Sequence, residues 1–300
     1  MNKDMDRYQG CLLGLAVADA VGTTVEFMPR GSFEPVTDMT GGGPFNLKPG
    51  QWTDDTSLAL CLATSLVEKQ GFDALDQMQR YVRWQDEGYL SSNGRCFDIG
   101  YTTRIALNNF RMNGDPFGGP VNTDSAGNGS LMRLAPVPMY YAPDLEKAMN
   151  YSAESSRTTH GAPEAVEACR LYGGMLVKAL EGRSKDEILF GFDPSLFNSP
   201  KISAIARGEY IQKKIGQISG NGYVINSLEA ALWCFWSTNS YAEAVLASVN
   251  LGDDTDTTAA VCGQVAGAFY GRLGIPQHWL EKLTMCKEIT RLADQLAGLN

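Results

Sequence analysis

Apolar residues recur along this chain at helical spacing, and no stretch alternates apolar with polar as a half-buried strand would. The first run, Gly10 to Ala20, places Gly10, Gly14 and Ala18 on one stripe where small side chains let a second helix come close. This helix is expected to be central and to end at Asp19, with Gly22 allowing the turn after it. Leu58, Leu60, Leu62 and Leu66 form a second run almost without a polar break. Residues 72–86 follow, with Asp73 as cap and Leu75, Met78 and Val82 inward, and then a short helix over Thr102–Phe110.

Pro163 opens a helix with Val166, Leu176 and Leu180 inward and Gly182 as its stop. Ser184-x-x-Glu187 and Ser240-x-x-Glu243 have the form of capping boxes. Ile225, Leu228, Leu232, Phe235 and Trp236 stripe one further helix, and Val261, Val265, Ala268 and Phe269 another. The last also carries Gly263, Gly267 and Gly271 every four residues, a second close-packing face. The expected fold is all-α, a single compact bundle over residues 1–300, because no linker or shift in composition divides the chain. Gly41-Gly42-Gly43-Pro44 is expected to be a mobile or ligand-covering loop.

Two of these helices open on acidic, threonine-flanked turns: Gln51-Trp52-Thr53-Asp54-Asp55-Thr56-Ser57 and Gly252-Asp253-Asp254-Thr255-Asp256-Thr257-Thr258. Capping explains either turn alone, since Asp and Thr satisfy free backbone amides at the positive end of a helix. Two caps do not require five aspartates, however, and like charges at the mouth of an apolar core repel unless a cation sits among them. Carboxylate and hydroxyl oxygens suit a hard ion such as Mg²⁺, Mn²⁺ or Ca²⁺ rather than zinc.

Charge narrows the partners. A net charge of −9 and a pI near 4.8 argue against wrapping a nucleic-acid backbone. Seven scattered cysteines, mostly in apolar helical runs, read as reduced core thiols. The polar Met1–Arg7 and the short, Gly-rich run Cys11–Ala18 suit neither a signal sequence nor a membrane span, so a soluble cytoplasmic protein is expected.

Three further segments carry chemistry. Glu26 closely follows a buried helix and is a candidate for that reason, although a lone loop glutamate is usually solvated. Asp98, set in Cys96-Phe97-Asp98-Ile99-Gly100, reads as the cap of the next helix. The loop Asp124 to Arg133 brings glycines to a helix start, where backbone amides can approach an anion, with Ser130 as cap and Arg133 adding charge. His160, one of two histidines, reads as a hydrogen-bonded structural residue.

Over nearly its whole length the chain resembles the ADP-ribosylglycohydrolase family, in the bacterial branch typified by dinitrogenase-reductase-activating glycohydrolases. The resemblance rests on Gly10-x-x-x-Gly14, Asp19-Ala-x-Gly22-x-x-x-Glu26-Phe27, Leu47 to Thr56, Gly127-Asn-Gly-Ser-Leu-Met-Arg133, Thr159-His160 and Gly252 to Thr257. It implies two divalent cations, Mg²⁺ or Mn²⁺, held by Thr53, Asp54, Asp55, Asp254, Asp256 and Thr257. It also implies a substrate-binding set of Gly127, Asn128, Gly129, Ser130, Met132, Arg133, His160 and Tyr223. Glu26 would lie near the scissile bond, with either Glu26 or a metal-bound acid such as Asp55 as the base, and Asp98 would meet the guanidinium of a modified arginine.

The implied reaction is hydrolysis at ribose C1 of a mono-ADP-ribosylated protein, releasing ADP-ribose, with a cognate ADP-ribosyltransferase as a possible partner. Alternatives are a serine-linked or small-molecule substrate, or an ADP-ribose-binding or immunity protein that neutralises a transferase. The chain departs from the family pattern at Asp253, where glycine is usual, and at Ala18. Asp253 is expected to point away from the metals.

Overall fold

The computed structural model describes residues 4–298. Among them the chain forms fourteen α-helices. The first half holds α1 (Met5–Gly22), α2 (Asp54–Lys69), α3 (Ala74–Glu87), α4 (Tyr101–Asn113), α5 (Pro136–Tyr141), α6 (Leu145–Arg157) and α7 (Pro163–Leu180). The second holds α8 (Lys185–Phe190), α9 (Pro200–Ala206), α10 (Val224–Ser237), α11 (Tyr241–Val249), α12 (Thr255–Tyr270), α13 (Gln277–Lys282) and α14 (Cys286–Leu296). The described residues contain no strand, only the isolated bridges Gly42 to Leu47 and Gly127 to Tyr223. The fold is an all-α bundle, and no helix in it is long and apolar enough to cross a membrane.

The two glycine stripes are made for each other. A Cβ added at Gly10 would lie 2.3 Å from the Gly267 carbonyl oxygen, and one at Gly14 would lie 2.5 Å from that of Gly263. Helix α1 therefore touches α12 backbone to backbone, and α1 is buried at every residue from Gly10 to Gly22. Tyr241 of α11 donates to the Gly14 carbonyl at 2.6 Å, and Tyr172 of α7 donates to that of Val261. The pair runs antiparallel, so the end of α1 meets the start of α12: a Cβ at Gly22 would sit 2.4 Å from Cα of Asp256, and Thr255 Oγ1 donates to Gly22 O at 2.7 Å. Ala18 faces Gly263 and affects only this packing.

Local signals in the sequence settle most boundaries. Asp73 caps α3 and Ser184 with Glu187 closes a full capping box on α8. The Ser240 box is only half made, because the Glu243 carboxylate returns to the amide of Asn239 instead. Three expectations change. Helix α1 runs on to Gly22, leaving Asp19 inside it and fully buried. Leu75, at the first turn of α3, stays in solvent because nothing packs over that turn. The Gly41–Pro44 loop is neither loose nor over the cleft described below: the Gly42–Leu47 bridge closes it, and a Cβ at Gly43 would lie 1.9 Å from Thr23 O. All seven cysteines are unpaired, five of them buried.

Because the α1–α12 contact is backbone against backbone, Gly14→Ala cannot be relieved by a rotamer change. It should cost about 1–3 kcal/mol in urea unfolding. Gly216→Ala, where an added Cβ meets nothing, should stay within about 0.5 kcal/mol.

Candidate metal and substrate site

The ends of α1, α2 and α12 converge on a cleft of about 350 Å³. Thr53, the residue before α2, does not cap the helix with its own side chain. That task falls to Asp19, whose carboxylate accepts from the amides of Thr53 (2.9 Å) and Thr56 (3.0 Å) and from both hydroxyls (3.0 and 2.6 Å). One buried acid on α1 thereby fixes the start of α2. Burial pushes the Asp19 pKa up to about 6 against the pull of those four hydrogen bonds.

Around Asp19 the acids crowd. Carboxylate oxygens of Asp19, Asp55 and Asp256 all lie within 4.8 Å of one another, as do those of Glu26, Asp98 and Asp256. Thr53 Oγ1 lies 3.0 Å from Asp19, 3.3 Å from Asp55 and 3.0 Å from Asp256, yet it has one proton and serves one of them at a time. Thr257 Oγ1 donates to Asp55 at 3.2 Å. Asp54 lines the cleft, and Asp254, the residue before α12, accepts from Asn128 Nδ2 at 2.8 Å. Asp256 Oδ1 and Glu26 Oε2 are buried with no hydrogen-bond partner.

Burial, followed by the charges of Asp98, Asp254 and Asp19, drives the Glu26 pKa up to about 10. Burial and the same kind of repulsion take Asp98 to about 8 and push Asp54, Asp55 and Asp256 well above the usual carboxylate range. No described lysine or arginine lines the cleft. Orphaned buried oxygens, an all-oxygen donor set and uncompensated negative charge together fit a hard divalent cation.

Asp98 does not cap α4. The residue before that helix is Gly100, and Asp98 adopts a left-handed backbone, φ +60°, that sends its carboxylate to Asp256 and Glu26 instead. Asp253 is exposed, as expected. It takes the left-handed conformation (φ +66°) that glycine usually supplies, and aspartate tolerates this better than most residues. Its backbone pairs with the Glu26 loop, accepting from Phe27 N at 2.7 Å and donating to Met28 O at 2.8 Å. Arg30 completes the lock by donating to the carbonyls of Leu251, Ile215 and Ile218.

The glycine loop divides into two layers. Gly127, Asn128, Gly129 and Met132 line the cleft with His160. Ser130 and Arg133 do not: Ser130 pairs with Ser156 at 2.8 Å, and fully buried Arg133 donates to Gly129 O at 3.0 Å and Thr159 Oγ1 at 2.7 Å beneath the loop. Thr159 Oγ1, which accepts from Arg133, lies 2.8 Å from His160 Nδ1 and ties the ring to the buried arginine. The other ring nitrogen, Nε2, lies close under Gly127 and Gly129. Burial and then the Arg133 charge lower its pKa to about 3, so the ring stays neutral.

Tyr223 lies on the other side of Gly127, in a neighbouring cavity of about 510 Å³. There its hydroxyl donates to Glu164 and accepts from Lys201 at 2.6 Å. Sequence reasoning passed over Asp19 as a cluster member, although its motif was visible, and also the cleft-lining Phe27 and Tyr101.

Comparison with known proteins places the whole chain in one family. The family model described as ADP-ribosylglycohydrolase matches residues 1–300. The chain is 47% identical to the ADP-ribosylarginine hydrolase Tri1 of Pseudomonas putida, over 97% of this chain and 78% of that one. It is 43% identical to Tri1 of Serratia proteamaculans, over 98% and 80%. To the ADP-ribosyl-[dinitrogen reductase] glycohydrolase of Rhodospirillum rubrum it is 34% identical, over 98% and 96%. A solved ADP-ribosylglycohydrolase-related protein complex superposes with a TM-score of 0.86 at 41% identity, covering 100% of this chain and 99% of that one.

Acids with raised folded pKa values keep protons that the unfolded chain, titrating near about pH 4, has already lost. Without metal, stability should therefore fall as pH rises from about 5 to about 8, through the Asp19 and Asp98 values. A bound cation removes that loss and adds about 2.7 kcal/mol at a hundredfold excess over its Kd. Thermal melting with EDTA against Mg²⁺ or Mn²⁺ should show a gap that widens toward high pH. A gap of zero across the range would remove the metal site.

Proposed function

The chain belongs to the ADP-ribosylglycohydrolase family, and we propose that it is a metal-dependent hydrolase releasing mono-ADP-ribose from modified arginine side chains. The observation that carries this reading is the joining of two acid groups through Asp256, one deep at Asp19 and Asp55, the other at the mouth with Glu26 and Asp98. Two divalent cations, Mg²⁺ or Mn²⁺, held by Thr53, Asp54, Asp55, Asp254, Asp256 and Thr257, would orient the ribose hydroxyls and lower the pKa of the attacking water.

The chain's own residues divide the rest. The Gly129 amide and the neutral His160 ring face the anionic part of the substrate, while the amides of Gly127 and Asn128 are spent on the carbonyls of Ser125 and Gly222 and hold the loop in shape. Met132 adds an apolar wall, and Ser130 and Arg133 hold the loop from below. Tyr223 and its cavity are assigned to the far end of ADP-ribose.

At the reacting end, bond cleavage builds positive charge on the ribose and leaves a guanidine, a poor leaving group unless it stays protonated. Asp98, ionised beside that cation, keeps it protonated. Glu26 or Asp55 takes the proton of the attacking water. Because the bond is to arginine, an ADP-ribosyltransferase must have made the substrate, and a cognate transferase is the partner class implied. Unpaired thiols support placement in a reducing cytoplasm, and one continuous apolar core supports a single domain.

Glu26→Gln keeps size and hydrogen bonding but cannot accept a proton. ADP-ribose binding by calorimetry should survive while turnover falls about a hundredfold or more. Unchanged turnover would pass the base to Asp55.

Asp98→Asn discriminates the substrate class. Release from an ADP-ribosylated arginine protein, assayed with and without EDTA, should slow by about ten- to a hundredfold, the effect of losing one charged hydrogen bond. A serine-linked substrate should be little changed. Equal loss on both would place Asp98 in shared machinery, and no loss would overturn its guanidinium role.

A further inference from the structure

Two large aromatic side chains stand in solvent at the mouth of the cleft, and neither is explained by packing. Phe27 is 64% exposed and Tyr101 78% exposed, and both line the cleft wall. Each is tied to one of the mouth acids: Phe27 directly follows Glu26, and Tyr101 opens α4 three residues after Asp98. Since the Glu26 and Asp98 carboxylates approach within 4.8 Å, the two rings flank one negative opening.

Phe27 is also held in a left-handed backbone, φ +65°, which a bulky residue rarely adopts. The hydrogen bond from its amide to Asp253 O fixes that conformation, leaving Glu26 only 4% exposed while the neighbouring ring stays in solvent. A strained backbone and an exposed ring, with no packing gained in return, are the marks of a residue placed for a ligand.

We propose that Phe27 and Tyr101 form an aromatic collar that grips the side chain of the modified arginine. This deepens the arginine reading above and rests on it. The ring faces receive the planar cation and the methylenes behind it, while Asp98 and Glu26 draw the charge inward. A serine linkage offers neither a cation nor a stem long enough to lie between two rings. The collar therefore selects the linkage, whereas the glycine loop holds the ADP-ribose common to both.

The test uses Phe27→Gly, which keeps the left-handed backbone at no strain, together with Tyr101→Ala, the double variant, and Phe27→Tyr and Tyr101→Phe as conservative replacements. KM and kcat are measured on an ADP-ribosylated arginine protein, Kd for free ADP-ribose by calorimetry, and Tm by thermal melting. Each single truncation should raise KM about three- to thirtyfold, the range of a cation–π contact from exposed to desolvated. The double variant should raise it further, with kcat moving less than about threefold, and the conservative replacements should restore KM.

Arginine release by the wild type with no KM change in the double variant would overturn the collar and leave the function standing. An equal loss in ADP-ribose affinity would also overturn it, by moving the rings to the nucleotide. A wild type that releases nothing from arginine sinks the functional reading itself, and the collar with it. Tyr101 is at the exposed start of a helix, so its truncation keeps the test readable even if Phe27→Gly lowers Tm.

Discussion

The mutual repulsion of buried carboxylates is the constraint on which this end of the molecule depends. Two unit charges about 5 Å apart at an effective dielectric near 20 repel by roughly 3 kcal/mol. Asp19, Asp55 and Asp256 alone make three such pairs, and Glu26 and Asp98 add more through Asp256. The helix starts of α2 and α12 offset only about 0.3–1 kcal/mol each. Set against a total stability of about 5–15 kcal/mol, the acids cannot all be ionised unless positive charge is supplied from outside. Burial first, and this repulsion after it, raise the pKa values of Asp54, Asp55 and Asp256 in the metal-free chain.

What makes such crowding possible is the rigidity of the platform. Glycine against glycine lets α1 and α12 touch at the backbone, which fixes Asp19 relative to Asp256 with almost no freedom. Asp19 then carries the geometry to a third helix by capping α2 from outside, so that Asp55 is placed by an acid that it repels. The Glu26 loop is fixed in turn by the Asp253 backbone and by Arg30.

Helical periodicity, the glycine stripes and the paired acidic turns were legible in the chain, because each is a local signal with a direct physical cause. Asp98 misled for an equally physical reason: an acid just before a helix is usually its cap, but here Gly100 holds the N-cap position with no side-chain cap, and Asp98, in a left-handed backbone, joins the acid cluster instead. Ser130 and Arg133 stand close to Gly129 in sequence, but their partners Ser156 and Thr159 lie beneath the loop, and these are contacts from a distant segment that no local signal shows. Asp19 was readable as a motif member but not as a cluster member, because its partners lie 34 and more residues away. Leu75 had the spacing of a core residue, and no periodicity reveals that a first turn is left uncovered.

The cleft is electrically divided, and Arg133 is the reason its second half differs from the first. It is fully buried, and among the described residues it has no carboxylate partner, only the carbonyls of Gly129 and Ser155, the hydroxyls of Thr158 and Thr159, and the face of Tyr81 at 4.7 Å. A buried cation held by neutral acceptors costs stability but, with no carboxylate to cancel it, leaves a net positive charge beneath the loop. Its potential falls on the Gly127–Gly129 loop and on His160, which it helps to keep neutral. The acidic half attracts cations and the loop half attracts anions, with Asp254, bonded to Asn128, at the boundary. A ligand carrying a diphosphate at one end and a cation at the other meets complementary charge along its length, which neither half alone would provide.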